Sequence, residues 1–290
     1  MSALAPAPVP VQITARDGRV LSGLLVASAT AHATLVVNAA TGFGCEFYLN
    51  FAAYAAQRGY HALVYDYRGT GRSARAPLRA EPALMSDWGV LDMPAALGWL
   101  IERYPQLPHC TLGHSVGGQL IGCMDNANQA RAHVMVAAST GYWRREALYF
   151  RCIALALWLL YGPLVLALRG FVPHGGPWRG RALPPEVFRQ WRKWCLSAAP
   201  FPDLDERLGR CAFHEVRGPL LSLDFTDDPI ATPAAVAALL GSYRAARIEQ
   251  RWVRPEEAGV RFLGHHGFFA GRHRRSLWPL ALDWLDTHTR

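Results

Sequence analysis

Lysine is almost missing from this chain of 290 residues: Lys193 is the only one, so nearly all of the 30 basic side chains are arginine. The arginines are scattered, with a looser grouping over residues 244–275, and no motif for binding DNA or RNA accompanies them. The formal net charge of +8 therefore reads as a solvated surface shaped by codon bias, and no nucleic-acid partner is expected. A weak attraction to anionic surfaces is what such a charge leaves open.

Paired metal ligands are missing too. Cys45, Cys110, Cys123, Cys152, Cys195 and Cys211 stand far apart, with no Cys-x-x-Cys and no Cys/His ligand spacing. They read as reduced residues of an apolar core. Neither a metal constellation nor a nucleotide-binding loop is present, so no metal and no cofactor are expected. The opening stretch "MSALAPAPVPVQITARDG" lacks a basic segment followed by an apolar one, so a secretory signal is not expected and a cytoplasmic address is. Long apolar runs are scarce. The one candidate, residues 152–168, falls short of the about 20 residues that cross a bilayer and carries Gly162-Pro163 at its centre. It is expected to form a broken helical pair, buried or half-exposed, in an inserted lid; a membrane span and an interfacial position against lipid are the alternatives.

What is present is a large apolar complement, 51% of the residues, with modest charge, enough for a globular α/β core. Two β-rich runs flank Arg16-Asp17-Gly18, a hairpin signal. The run "ATLVVNAA" is continuously apolar, as strands buried on both faces are, and "HALVYDY", "CTLGH", "AHVMVAAS" and "PLLSLDF" read as further strands. Helical stretches alternate with them, which implies a mostly parallel sheet covered on both sides. The alternation stops between residues 141 and 214, where aromatic and arginine-rich helical material suggests an insertion over the sheet. The expected division is a core of residues 9–140 and 215–290 with a helical cap of residues 141–214.

The stretch "HCTLGHSVGGQLIGCM" contains Gly113-His114-Ser115-Val116-Gly117. This Gly-x-Ser-x-Gly pattern marks a strand that turns sharply into a helix and pushes the serine out at the apex. A serine hydroxyl is a weak nucleophile until a base takes its proton, and a carboxylate must orient that base. In doubly wound hydrolases the chain order is serine, acid, histidine. The acid is expected in "LSLDFTDDPIATP": Asp228 first, Asp227 as near alternative, Asp224 as a distant one. The base is expected in "VRFLGHHGFFAGRH", where His265, His266 and His273 are candidates. His114 is expected to pack or line the site, because adjacent side chains diverge at so sharp a turn. Two backbone N–H groups must face an oxyanion: that of Val116, and that of Ala40 or Thr41 in the loop "NAATGFG".

With "DYRGTGRS", "GHSVGG", "FTDDP" and "GHHGFF" in this order, the chain resembles the α/β-hydrolase superfamily. It looks most like a bacterial branch of predicted hydrolases akin to serine aminopeptidases and monoacylglycerol-lipase-like proteins, with "ATGF" at residues 40–43 and "QWRKWC" at residues 190–195. The resemblance covers essentially all of the chain after its first ten residues. It implies Ser115 as nucleophile, Asp228 as acid and His265, in preference to His266, as base. The oxyanion loop departs from the common His-Gly-x-Gly, having Asn38-Ala39-Ala40-Thr41-Gly42 instead. The implied activity is hydrolysis of an ester or related acyl bond of a hydrophobic small molecule through an acyl-enzyme. Phe43, His114, Trp143 and Trp191 are the candidate substrate contacts, with Trp158, Trp178 and Trp194 as further candidates for a pocket roof. A non-catalytic binding protein and a membrane-associated lipid hydrolase or acyltransferase are the competing readings.

Overall fold

The computed structural model describes residues 7–204 and 212–290. Eight strands form one sheet: β1 (Val9–Thr14), β2 (Val20–Val26), β3 (Ala33–Asn38), β4 (Tyr60–Tyr65), β5 (His109–His114), β6 (Ala132–Val136), β7 (Gly218–Phe225) and β8 (Ala246–Val253). Their spatial order is β1-β2-β4-β3-β5-β6-β7-β8. β2 runs antiparallel to both β1 and β4, and every other neighbouring pair is parallel. The fold is thus α/β, a mostly parallel doubly wound sheet entered through an antiparallel hairpin whose turn holds Gly18 at φ +79°.

The continuous apolar runs become the central strands because both faces of the sheet are covered. Leu35, Val36, Leu63, Val64, Leu112, Val134 and Leu223 are fully buried. The covering helices are α1 (Leu49–Gln57), α2 (Met93–Arg103), the short α3 (Val116–Gln119), α4 (Leu148–Arg169), α5 (Pro185–Leu196), α6 (Pro233–Leu240) and α7 (Trp278–Thr289). α3 is shorter than the sequence suggests and continues only as a 3-10 turn to Cys123. Glycines at 117, 118 and 122 weaken the helix there. Between β6 and β7 the described residues hold α4, α5 and two isolated bridges.

Two expectations are corrected. The apolar run is not a broken pair: α4 is continuous for 22 residues, and a π-helical turn at Ala156–Tyr161 precedes Gly162. That wider turn absorbs the missing N–H of Pro163, which would break an ordinary helix. By length and apolar composition the whole helix could cross a membrane, which its central run alone is too short to do. Among the described cysteines, all of them free, Cys152 is exposed and not in the core, because it sits on the outer side of α4; Cys211 lies outside the described residues.

The turn "DYRGTGRS" after β4 is tied in by a buried ion network. Arg68 donates from Nε to Asp92 Oδ1 at 2.7 Å and from Nη1 to Asp17 Oδ2 at 2.7 Å, joining the hairpin turn to the approach of α2. The Asp92 side chain is completely buried, so Arg68→Met would remove its counter-charge and leave it the backbone N–H of residue 68. That substitution is expected to cost about 3–5 kcal/mol of stability in urea unfolding, with part of the loss recovered when Asp92→Asn is added.

Candidate functional site

Four loops at the carboxyl ends of β3, β5, β7 and β8 build the site. At the end of β5, Ser115 sits at φ 52° and ψ −115°, a left-handed backbone that a non-glycine residue adopts only under constraint. The constraint is close packing. A Cβ on Gly113 would strike the backbone of Gly117 and Gly118, and one on Gly117 would strike the carbonyl of Asn38 at the end of β3. Glycine at both positions lets the helix start directly behind the strand, leaving the hydroxyl at the apex.

His265 meets that hydroxyl: its Nε2 lies 2.9 Å from Ser115 Oγ. Its Nδ1 lies 2.7 Å from Asp228 Oδ2. With the proton on Nδ1, the ring donates to the carboxylate and accepts from the serine. Asp228 Oδ1 accepts from the N–H groups of Ile230 at 2.8 Å and Ala231 at 3.0 Å. Burial works to raise the Asp228 pKa, but the charge and hydrogen bond of His265 and these two N–H groups outweigh it, and the carboxyl is held below its ordinary value. Asp227, the near alternative, faces away and accepts from Leu263 N at 2.7 Å and Gly264 N at 3.1 Å, which fixes the loop carrying His265. Asp224 bonds Ser222 and Gln250 within the sheet. His266 is exposed and packs on Phe43 with ring centroids 4.7 Å apart. His273 is buried away from the cavity, where its Nε2 accepts from Arg272 Nε at 3.0 Å.

His114 is completely buried. Its Nε2–H donates to the backbone carbonyl of His265 at 2.9 Å, which leaves Nδ1 to accept from the Tyr48 hydroxyl at 2.9 Å. Burial, with the neighbouring rings of His266 and His265, pushes its pKa well below the ordinary histidine value, so it stays neutral as this pattern requires. Tyr48 in turn accepts from the Ala40 N–H at 2.7 Å. Of the two N–H groups that the sequence offers in this loop, that of Ala40 is therefore already occupied. Nothing in the sequence marks Tyr48, because its role depends on a contact with a residue 66 positions away.

Ser115 and His265 open into a cavity of about 690 Å³. Phe43, Phe150, Leu157, Trp158, Trp178 and Trp191 line it, as do Ala40 and Thr41. His114 and Trp143 do not. The first lies beneath the site, and the second packs against Tyr142 and under Arg144. Trp194 is turned toward Asp203. One wall residue escaped the sequence reading. Glu146 is 5% exposed, lines the cavity, and its Oε2 has no hydrogen-bond partner among the described residues. Burial and the nearby charge of Asp228 push its pKa up to about 8, against the pull of Arg151. The available signal was that it is the only acidic residue between positions 141 and 181.

Nitrogen atoms of His114, His265 and His266 lie within 4.8 Å of one another, a spacing compatible with a metal ion. His114 and His265 each have both ring nitrogens in hydrogen bonds, so ligation there would break the bonds that hold the site together.

Residues 29–170, just under half of the chain, match the family model Hydrolase_4, described as serine aminopeptidase, S33. No curated protein matches the sequence. Among solved structures, a soluble variant of monoglyceride lipase from Saccharomyces cerevisiae, in complex with a substrate analogue, is similar over 100% of this chain and 97% of its own, at 13% identity and TM-score 0.70. An esterase of Pyrococcus furiosus is similar over 99% of this chain and 92% of its own, at 15% identity and TM-score 0.67. The acylaminoacyl peptidase of Pyrococcus horikoshii covers 98% of this chain with 42% of its own, at 13% identity and TM-score 0.59. At these identities the likeness is one of fold. Sheet order, glycine-packed elbow and these matches together give the chain the α/β-hydrolase fold.

Proposed function

We propose that this protein is a serine hydrolase that cleaves carboxylic esters of hydrophobic small molecules through an acyl-enzyme. The observation that carries the reading is the chain of short contacts from Asp228 through His265 to Ser115, opening directly into a cavity walled mostly by apolar side chains. The esterase and lipase among the similar structures support the same reaction class.

In this mechanism the Ser115 oxygen attacks the ester carbonyl while His265 Nε2 takes its proton. Asp228 holds the imidazole in the right tautomer and stabilises it once charged. The negative charge on the former carbonyl oxygen is received by the N–H groups of Val116 and Thr41. Collapse of the intermediate breaks the bond to the alcohol, and His265 returns its proton to the departing oxygen. Water then attacks the acyl-serine with His265 again as base, freeing the acid and restoring Ser115. Residues 141–214 act in this reading as a cap over the core of residues 9–140 and 215–290: α4 and α5 supply Phe150, Leu157, Trp158 and Trp191 to the roof. An acyl pocket of this kind rewards apolar groups.

The test is turnover of p-nitrophenyl esters of graded chain length together with labelling by a fluorophosphonate. Ser115→Ala is expected to abolish labelling and to lower kcat by about 10⁴-fold or more. Asp228→Asn is expected to lower kcat by about 10⁴-fold with little change in KM, since it removes an orientation and not a binding contact. Asp227→Ala should cost less than Asp228→Asn. Folded protein that neither labels nor turns over any ester would instead be a binding protein.

Glu146 makes a second expectation. Its carboxyl is neutral below about pH 8 and ionises above that, so alkaline pH places a negative charge in the apolar pocket. KM for an uncharged ester should rise several-fold from about pH 7 to about pH 9 in the native protein and stay flat in Glu146→Gln. Equal profiles for the two would remove Glu146 from the substrate wall.

A further inference from the structure

Helix α4 has two apolar faces, and only one of them is covered. The inner face carries Ala154, Leu157, Trp158 and Gly162. Trp158 packs on Phe188 and Trp191 of α5 with ring centroids 5.5 and 4.6 Å apart. The Phe188 ring lies so close to Gly162 that no Cβ would fit. The helix therefore lies flat along the body of the protein and cannot stand across a bilayer without tearing out this packing.

The outer face carries Leu148, Tyr149, Leu160, Leu164 and Leu168, which are 58–77% exposed, with Ile153 and Leu159 about half exposed. Only 28% of the most apolar part of the helix is buried. A contiguous patch of this kind on a soluble surface marks an interaction site. It continues into the cavity: Ile153 and Phe262, exposed to 47% and 64%, also line the pocket that holds Ser115.

Charge selects the occupant. Residues 141–181 contain six arginines, Arg144, Arg145, Arg151, Arg169, Arg179 and Arg181, and one acid, the buried Glu146. Arg144 and Arg145 stand just before α4 and Arg169 ends it, so the apolar stripe is bracketed by positive charge. A second copy of the chain would bring two such basic borders together, and like charges repel. Anionic headgroups would instead meet arginines while the acyl layer below takes up leucine.

We propose that the outer face of α4 seats on the surface of an anionic phospholipid bilayer, with its leucines in the interfacial layer, its arginines at the phosphates, and the mouth of the cavity facing the lipid. The substrates are then amphipathic long-chain acyl esters that reside in the bilayer, an assignment that rests on the hydrolase reading; the docking does not.

The experiment is co-sedimentation of the native protein and of Ser115→Ala, which needs no turnover, with vesicles of phosphatidylcholine with or without phosphatidylglycerol. Partition onto the phosphatidylglycerol vesicles is expected, falling several-fold at about 0.5 M salt. It should fall by at least about tenfold in Leu160→Glu/Leu164→Glu, whose two positions lie outside the cavity wall. Turnover of a short, soluble ester by that variant should equal that of the native protein, while its turnover of a long-chain ester held in vesicles falls. Leu164→Gln/Leu168→Gln is the milder variant if the first does not fold. No binding to phosphatidylglycerol vesicles, or equal binding by a folded variant, overturns the proposal. So does a dimer of the native protein in light scattering that the variant loses, which would assign the face to a second copy. Native protein that partitions but hydrolyses no ester would keep the docking and remove the substrate class together with the hydrolase reading.

Discussion

The backbone of Ser115 can stay in its left-handed conformation only because β5 and β3 are packed so tightly behind it that nothing larger than hydrogen fits at Gly113 and Gly117. Strain of this sort costs on the order of 1–3 kcal/mol and persists where the surroundings overdetermine it. Here the surroundings are the centre of the sheet, where β3, β5 and β6 are buried along their whole length. The carboxyl end of β3 thereby touches the elbow.

The second constraint joins this apex to a loop 150 residues away in the chain. His265 is held from three directions: Asp228 at its Nδ1, Asp227 at the N–H groups of the two residues before it, and His114 at its carbonyl. His114 passes the connection on to Tyr48 and so to Ala40. The loop after β3, the elbow and the loop of His265 thus share one buried hydrogen-bonded chain. Within it the fully buried His114 is neutral, since an unpaired charge there would be far more costly than a neutral group in the same place.

Much of this was legible in the amino-acid order because the physics behind it is local. Strands buried on both faces are rich in apolar residues without a polar alternation, so β3 to β7 announce themselves. The glycines around Ser115 report a turn, and the order serine, acid, histidine follows from the strand order. What stayed hidden depends on packing between distant residues. The sequence offers the N–H groups of both Ala40 and Thr41, and only the fold shows that the Tyr48 hydroxyl already takes that of Ala40. Gly162-Pro163 reads as a break until a π-helical turn makes room for the proline. His114 stands next to Ser115 in sequence yet points beneath the site, while Glu146 stands 31 positions after Ser115 and shares its cavity wall.

The π-helical turn also sets which side of α4 looks inward. It inserts extra backbone into one turn, so deleting a single residue from Ala156–Tyr161 would rotate everything after it by about 100° relative to what comes before. Leu164 and Leu168 would swing from their outward positions, while Phe150 and Ile153 kept theirs. One codon there acts as a phase adjuster between the compartment that receives a ligand and the exterior the protein presents, and a lineage could retune both together without touching the elbow.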